Sequence, residues 1–184
     1  MSGFESFEKK YGAPVQPRVL EAAELAECEK VLPANLVDYF RRSGVGQYGK
    51  GLFRTVSPVE AASLVDGWGD LQAARSTFLI TAFGCFVYRD GSSNRLVNVW
   101  AGTRSELFSD AADAFEGNLC DADFIKSVLL KSDFLSASKR LGPPGQDECF
   151  GFVPAIALGG DGSAASIQRV KLREHLALLA QLSE

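Results

Sequence analysis

The chain has a single histidine, His175, which is the first residue to consider for chemistry. Catalysis by a Ser or Cys nucleophile usually needs a general base, and most histidine metal sites need more than one imidazole. His175 lies in a leucine-rich helical pattern between Leu172 and Leu179, at the border of the apolar face. That position is typical of a structural histidine. The sequence therefore predicts no catalytic residue, no cofactor and no metal site, and a protein that is not an enzyme.

Carboxylates are densest between residues 110 and 123, where no Lys or Arg interrupts them. Such a block can be a solvated face that includes acids at helix N-termini. It could also be a divalent-metal catalytic site, which would require two or three carboxylates to converge. The hypothesis that we carry forward is an acidic surface that binds a basic partner and speeds the encounter by electrostatic steering. The carboxylates of this block are Asp110, Asp113, Glu116, Asp121 and Asp123.

Two tryptophans are candidate anchors for a protein partner. Trp68 stands between two glycines and close to Asp70, so we expect it to be exposed. A tryptophan beside acidic residues would suit an interface hot spot. Trp100 follows an apolar run and is expected in the core. The predicted partner-binding set is therefore the acidic block together with Trp68 and Asp70.

Two glycine-rich segments match nucleotide-binding patterns only in part. Gly44, Gly46 and Gly49 spell GxGxxG, but a dinucleotide motif has a strand before its glycines and a helix after them. Here a helical pattern comes first and a strand-like run follows. The cluster Gly159 to Gly162 lacks the Lys-Ser/Thr pair of a P-loop. We interpret both segments as turns.

Bulk properties restrict the class of protein. With 184 residues and 46% hydrophobic content, the chain can bury one sizeable core or two small, closely packed lobes. A net charge of −4 and a pI near 5.1 argue against direct nucleic-acid binding, which needs clustered Lys and Arg. The sequence has neither a signal-peptide pattern nor a membrane-spanning run, and its four cysteines are scattered. We expect a cytoplasmic protein with free thiols and no membrane partner.

Strand-like segments lie in the middle of the chain, with helical segments before and after them. This order predicts an α+β fold with a central antiparallel sheet, helices at the N-terminus and a long closing C-terminal helix. The strand predictions are a hairpin from Phe78 onward that extends to 106–109, and a buried strand over 150–158. The helix predictions are an aromatic helix at Phe4–Tyr11, one from Pro33 to Gly44, one capped by Ser57 and Glu60 that stops at Gly67, one over 123–141 and one over 166–182.

Four runs of the sequence resemble a known family. They are LPANLVDYFRRSGVGQYGKGLFRTVSP (32–58), TAFGCFVYRDG (81–91), DECFGFVPAIALGG (147–160) and VKLREHLALLAQL (170–182). The chain thereby resembles bacterial immunity proteins that pair a GAD-like N-terminal domain with a C-terminal domain of type VI secretion DNase immunity proteins. Cys85 departs from the pattern, since relatives often have an acidic residue after Ala-Phe-Gly; if that residue recognises a toxin, the departure implies a different partner specificity here.

The resemblance implies a GAD-like domain over 1–105 and an immunity-type domain over 106–184, packed as one compact unit. It also implies a partner, a cognate nuclease toxin that the protein binds in the producing cell, so that the toxin's active site or its access to DNA is blocked. An adaptor or regulatory binding module on the same scaffold is the alternative. The shared runs are mainly glycine, proline and apolar residues, so the resemblance identifies the scaffold and not the surface that contacts a toxin.

Overall fold

The computed structural model describes residues 3–68, 71–107 and 111–183. Short 3-10 turns lie at 66–68, 156–158 and 164–166, and a π-helical turn spans 114–118. The helices in this part of the chain are α1 (Glu5–Tyr11), α2 (Ala22–Val31), α3 (Ala34–Ser43), α4 (Pro58–Val65), α5 (Leu71–Ser76), α6 (Ala111–Asp113), α7 (Ala122–Ser127), α8 (Lys131–Leu141) and α9 (Leu172–Gln181). The strands are β1 (Val15–Arg18), β2 (Val45–Tyr48), β3 (Phe53–Thr55), β4 (Thr77–Thr81), β5 (Phe86–Asp90), β6 (Ser93–Asn98), β7 (Thr103–Glu106), β8 (Glu148–Phe152) and β9 (Ile167–Lys171).

Within the described residues, strands β1 to β7 form one antiparallel sheet whose spatial order is the chain order. Its central strands are rich in β-branched and aromatic residues, which favour a pleated, buried surface. The predicted hairpin is confirmed for β5 and β6, which pair from Phe86–Val97 to Asp90–Ser93. The run from Phe78 onward is not one strand but two, β4 and β5, and the expected extension to 106–109 is replaced by β7, which ends at Glu106. Strands β8 and β9 form a separate antiparallel pair. The predicted α+β fold with a central antiparallel sheet is confirmed.

One face of the sheet carries an aromatic core to which both halves of the chain contribute. Phe7 of α1 packs against Tyr48 and Phe53, with ring centroids 5.0 and 6.1 Å away. Phe115, from the π-helical turn, lies 4.8 Å from Phe7 and 5.2 Å from Phe4 in edge-to-face geometry. Such ring pairs add about 0.5–1.5 kcal/mol each beyond the area that they bury. The core therefore joins the expected domains 1–105 and 106–184 through shared side chains.

The closing helix α9 and strand β8 pack at the turn that joins β4 to β5. The amide of Phe150 donates to the carbonyl of Ala82 at 2.7 Å, and Leu176 lies against Gly84. His175 of α9 faces Gly151 of β8, where a methyl group would come within 2.5 Å of the imidazole. His175 is buried, and burial lowers the pKa of its imidazole. Its position agrees with that expected for a structural histidine.

The predicted helix over 166–182 is wrong in its first third. Residues 167–171 form β9, and α9 begins only at Leu172. Ile167 and Val170 are three residues apart, which is also the spacing of a helical face, but their backbone pairs with Glu148–Phe152. The strand predicted over 150–158 is likewise too long, since β8 ends at Phe152 and a 3-10 turn occupies 156–158.

Other helix predictions are confirmed with local corrections. Ser57 caps α4 by accepting a hydrogen bond from the amide of Glu60 at 3.2 Å, but the Glu60 carboxylate binds Arg18 and does not complete the capping box. The stretch 123–141 contains two helices, separated at Leu130, whose φ of 49° lies in the left-handed region. The sequence analysis did not predict α2 or β1.

We predict that Gly151→Ala destabilises the fold. The added methyl meets the imidazole of His175, and overpacking of this kind costs about 1–3 kcal/mol. Chemical denaturation of Gly151→Ala, His175→Ala and the double variant measures the coupling between the two positions. A matched control is Gly67→Ala, where the added methyl meets only ordinary contacts. Equal effects of Gly151→Ala in the presence and absence of His175 would contradict this explanation.

We also predict that His175 makes stability depend on pH below neutrality. Because burial depresses the pKa of the folded imidazole, the unfolded chain binds the proton more readily as pH falls below about 6.5. The free energy of unfolding should therefore decrease from about pH 7 to pH 5 more steeply in the natural protein than in His175→Asn. This is the only histidine, so identical slopes for the two proteins would show that the imidazole is not desolvated.

Candidate interaction surfaces

Glu116, in the middle of the predicted acidic block, has a structural partner. Its carboxylate accepts hydrogen bonds from the backbone amides of Ser6 and Phe7, both at 3.0 Å, at the N-terminus of α1. Burial raises the pKa of Glu116, but these hydrogen bonds outweigh it, so the pKa lies below its ordinary value. A carboxylate at this end of a helix accepts hydrogen bonds from the free amides, and its negative charge interacts favourably with the helix dipole. Glu116 thus holds α1 against the C-terminal half.

The other described carboxylates of the block are exposed. Asp121 caps α7 by accepting a hydrogen bond from the amide of Phe124 at 2.8 Å. Asp113 and Asp123 form no ion pair with the described residues. Asp110 lies outside the described residues. The structure therefore splits the block into a tied residue, Glu116, and an exposed set, Asp113, Asp121 and Asp123.

The expectation that Trp68 is exposed is wrong. Its side chain is 6% exposed and packs edge-to-face against Phe86, with ring centroids 5.9 Å apart. The carbonyl of Trp68 accepts a hydrogen bond from Arg104 at 2.7 Å. The segment of Trp68 packs against α9, whereas the acidic block packs against α1 and α3. The tryptophan and the acidic block, which were predicted to form one interface, therefore contact different helices. Asp70 lies outside the described residues.

Trp100 was expected in a strand of the core. It lies in the turn after β6 and is half-buried, with its ring 6.2 Å from that of Phe152. Neither tryptophan offers most of its surface to a partner. Trp68 lies between two glycines and Trp100 between Val99 and Ala101, and neither sequence context indicates how much of each ring the fold covers.

A second acidic surface, which the sequence analysis missed, lies between α2 and α4. Arg18 bridges Glu24 and Glu60 there, at 2.7 and 2.8 Å. Val59 forms an apolar wall that is 52% exposed. We call this surface the α2–α4 groove, and its lining residues are Arg18, Glu21, Ala23, Glu24, Glu27, Val59 and Glu60. The spacing of Glu21, Glu24 and Glu27 at intervals of three could have revealed it, because such residues share one helical face.

The segment after β8 exposes apolar side chains. Val153, Ile156 and Leu158 are 48%, 36% and 58% exposed. Gly160 lets the backbone fold back closely, since a methyl there would come within 2.1 Å of the Pro154 carbonyl oxygen. The glycine cluster thus forms the turn that the sequence predicts. Exposed apolar groups near one another are typical of a contact with another protein.

Groups that could support catalysis or metal binding are poorly placed. Burial raises the pKa of Cys85 to about 11 and that of Cys149 to about 12, so both thiols are protonated near neutral pH. Within the described residues, no cluster of three or more His, Cys, Asp or Glu residues could hold a metal ion.

The same part of the chain contains no helix that is long and apolar enough to cross a membrane.

Two family models match the chain, one in each half. The model of the GAD-like domain matches residues 2–101. The model described as T6SS immunity protein Tdi1, C-terminal, matches residues 109–183. No curated protein matches the chain. The two matches leave residues 102–108 between them.

A solved structure shares the whole fold. The crystal structure of Atu4351 from Agrobacterium tumefaciens superposes with a TM-score of 0.80, covering 97% of this chain and 88% of that chain. The sequence identity is 21%, so the likeness concerns the fold alone. The same arrangement of sheet and helices therefore forms from a largely different sequence.

We predict that Glu116→Gln destabilises the protein, whereas Asp113→Asn does not. Both variants remove one charge from the same block, but only Glu116 accepts hydrogen bonds from α1. After allowance for solvent screening, the loss should be about 1 kcal/mol, or roughly 2–4 °C in Tm. The Glu116 contribution is present above the ordinary glutamate pKa and is lost as pH falls through its depressed folded value. Thermal melts of both variants at pH 7 and pH 4 check this, and equal melts would contradict it.

Proposed function

We propose that this chain, which belongs to the GAD-like family and whose residues 109–183 match the model of the T6SS immunity protein Tdi1 C-terminal domain, is an immunity protein that neutralises a cognate secreted nuclease toxin. In this role it acts by binding and without catalysis. The observation that carries the proposal is the match of the C-terminal half to the immunity model. The producing cell would be protected during bacterial competition because the toxin is bound before it reaches DNA.

The acidic character of the protein supports a nuclease as partner. A nuclease must hold DNA phosphates, and it does so with clustered Lys and Arg. A protein of net charge −4 with exposed carboxylates is complementary to such a surface. Binding there would exclude DNA by occupying the same groups. Cytoplasmic location follows from the same proposal, since the toxin must be met inside the cell.

The interface that we propose is centred on the exposed carboxylates Asp113, Asp121 and Asp123. They lie in the half that matches the immunity model, and the described residues form no ion pair with Asp113 or Asp123. Asp110 and Asp70, which lie outside the described residues, remain in the proposed partner-binding set on the evidence of the sequence alone. Trp68 would have to be uncovered before its ring could contribute, because 6% exposure offers a partner little area.

The first test is isolation of the protein from its native host, followed by a high-salt wash and mass spectrometry of what remains bound. Recovery of a nuclease at equal stoichiometry is the expected result. Activity of that nuclease on DNA should be lost in the complex and return when the partners are separated. Recovery of a regulator without nuclease activity would replace the proposal with the adaptor function.

We predict that charge reversal on the exposed carboxylates slows association with the toxin. Asp113→Lys and Asp123→Lys each change the local charge by two, and each should lower kon by about tenfold at low salt and weaken its salt dependence. Stopped-flow kinetics over a range of ionic strength measures this. Glu174→Lys, on the exposed side of α9, makes the same charge change away from the block and should alter kon by less than about twofold. Equal rates for all three variants would remove the block from the interface.

A further inference from the structure

A half-buried guanidinium lies at the junction between the large sheet and the C-terminal half. Arg54 is the central residue of β3, and its guanidinium donates to the carbonyl oxygen of Gln146, in the loop before β8. A guanidinium has five N–H donors, and this carbonyl is its only hydrogen-bond acceptor among residues 3–68, 71–107 and 111–183. Burial lowers the pKa of Arg54. The cation is therefore partly stripped of water without full compensation from the protein.

The nearby carboxylates are already engaged with another cation. Arg18 holds Glu24 at 2.7 Å and Glu60 at 2.8 Å, while Asp147 binds Lys171. Glu60 and Asp147 attract the Arg54 cation, but neither forms an ion pair with it in the described part of the chain. A partly desolvated guanidinium with unused N–H donors is costly in free energy, so such a site favours an anion from outside.

A cavity of about 80 Å³ adjoins the Arg54 guanidinium. A water molecule in the liquid takes about 30 Å³, so the space suits a small oxyanion or two to three waters. Glu60, whose carboxylate shares Arg18 with Glu24, is one of the residues that line it. The other polar lining residues carry two guanidinium groups, three side-chain amides and one hydroxyl. These residues are Arg18, Arg54, Gln16, Gln47, Gln146 and Thr55.

The strand geometry directs polar groups towards this cavity. Gln47 of β2 is paired directly with Arg54, so their side chains lie on the same face of the sheet. A bulge in β1 places two residues, Gln16 and Pro17, opposite Gly46 alone. Gln16 takes a φ of 51° there, which is unusual for a residue other than glycine. A methyl group on Gly46 would come within 3.0 Å of the Val15 carbonyl, so this glycine allows the bulge to approach.

We infer that the cavity beside Arg54 is a binding site for a small oxyanion, a phosphate or a carboxylate, held by the Arg54 guanidinium and by the amides of Gln16, Gln47 and Gln146. The planar fork of a guanidinium matches both kinds of oxyanion in bidentate geometry, and side-chain amides donate to the remaining oxygens. The site lies outside the acidic block and is independent of the proposed function. Failure of one does not affect the other.

The test uses the full chain in chloride buffer, with inorganic phosphate and acetate as probes at equal ionic strength. About 20 mM phosphate should raise Tm by roughly 2–4 °C, because a ligand that binds only the folded state stabilises it. Arg54→Gln should lose this response, whereas Arg173→Gln, which removes an exposed arginine of α9, should keep it. Isothermal titration of phosphate and of acetate then identifies which oxyanion the site prefers.

A second variant tests the same site even if Arg54→Gln fails to fold. Gln47→Glu places a carboxylate directly opposite Arg54 and supplies the missing counter-ion within the chain. It should raise Tm in anion-free buffer by roughly 2–4 °C and abolish the phosphate response, while Gln168→Glu on exposed β9 should do neither. The assignment is overturned if the natural protein responds to neither anion, or if the response persists in Arg54→Gln or Gln47→Glu.

Discussion

The contact between Phe7 and Phe115 is the constraint on which the rest of the structure depends. Their rings lie 4.8 Å apart, and both side chains are fully buried among aromatic residues of the sheet. Next to this contact, Glu116 accepts hydrogen bonds from the first amides of α1. The two segments are more than one hundred residues apart in the chain. Their contact closes the core over one face of the sheet and fixes the C-terminal half against the N-terminal half.

This shared core explains how two family models can describe one folded unit. The GAD-like match and the immunity match meet near residue 105, but Phe115 and Phe150 pack or bond across that junction. In the function that we propose, a partner bound to the C-terminal half would meet a surface that is packed against the sheet. A surface that is ordered before binding loses less entropy on association, which would favour tight binding in that proposed role.

The acidic residues of this protein fall into two groups, those that bind other groups of the fold and those that remain exposed to solvent. Glu116, Glu24 and Glu60 bind groups within the fold, whereas Asp113 and Asp123 remain exposed. On the sheet, Arg54 is the reverse case, a cation that the fold partly buries and that forms no ion pair within the described part of the chain. The charge of a surface is thus set by which groups the tertiary structure has already paired, and a count of charged residues does not reveal it.

The sequence by itself determined the α+β class, the central antiparallel strands, the Ser57 cap of α4 and the helix that ends at Gly44, because these depend on local periodicity and on turn and cap chemistry. Only the tertiary structure decided that 167–171 is a strand, that Trp68 is buried and that Glu116 is tied to α1. Each of these depends on a distant partner: β8 for 167–171, Phe86 for Trp68 and the amides of Ser6 and Phe7 for Glu116. Local spacing carries no information about such partners, since they meet only when the chain has folded.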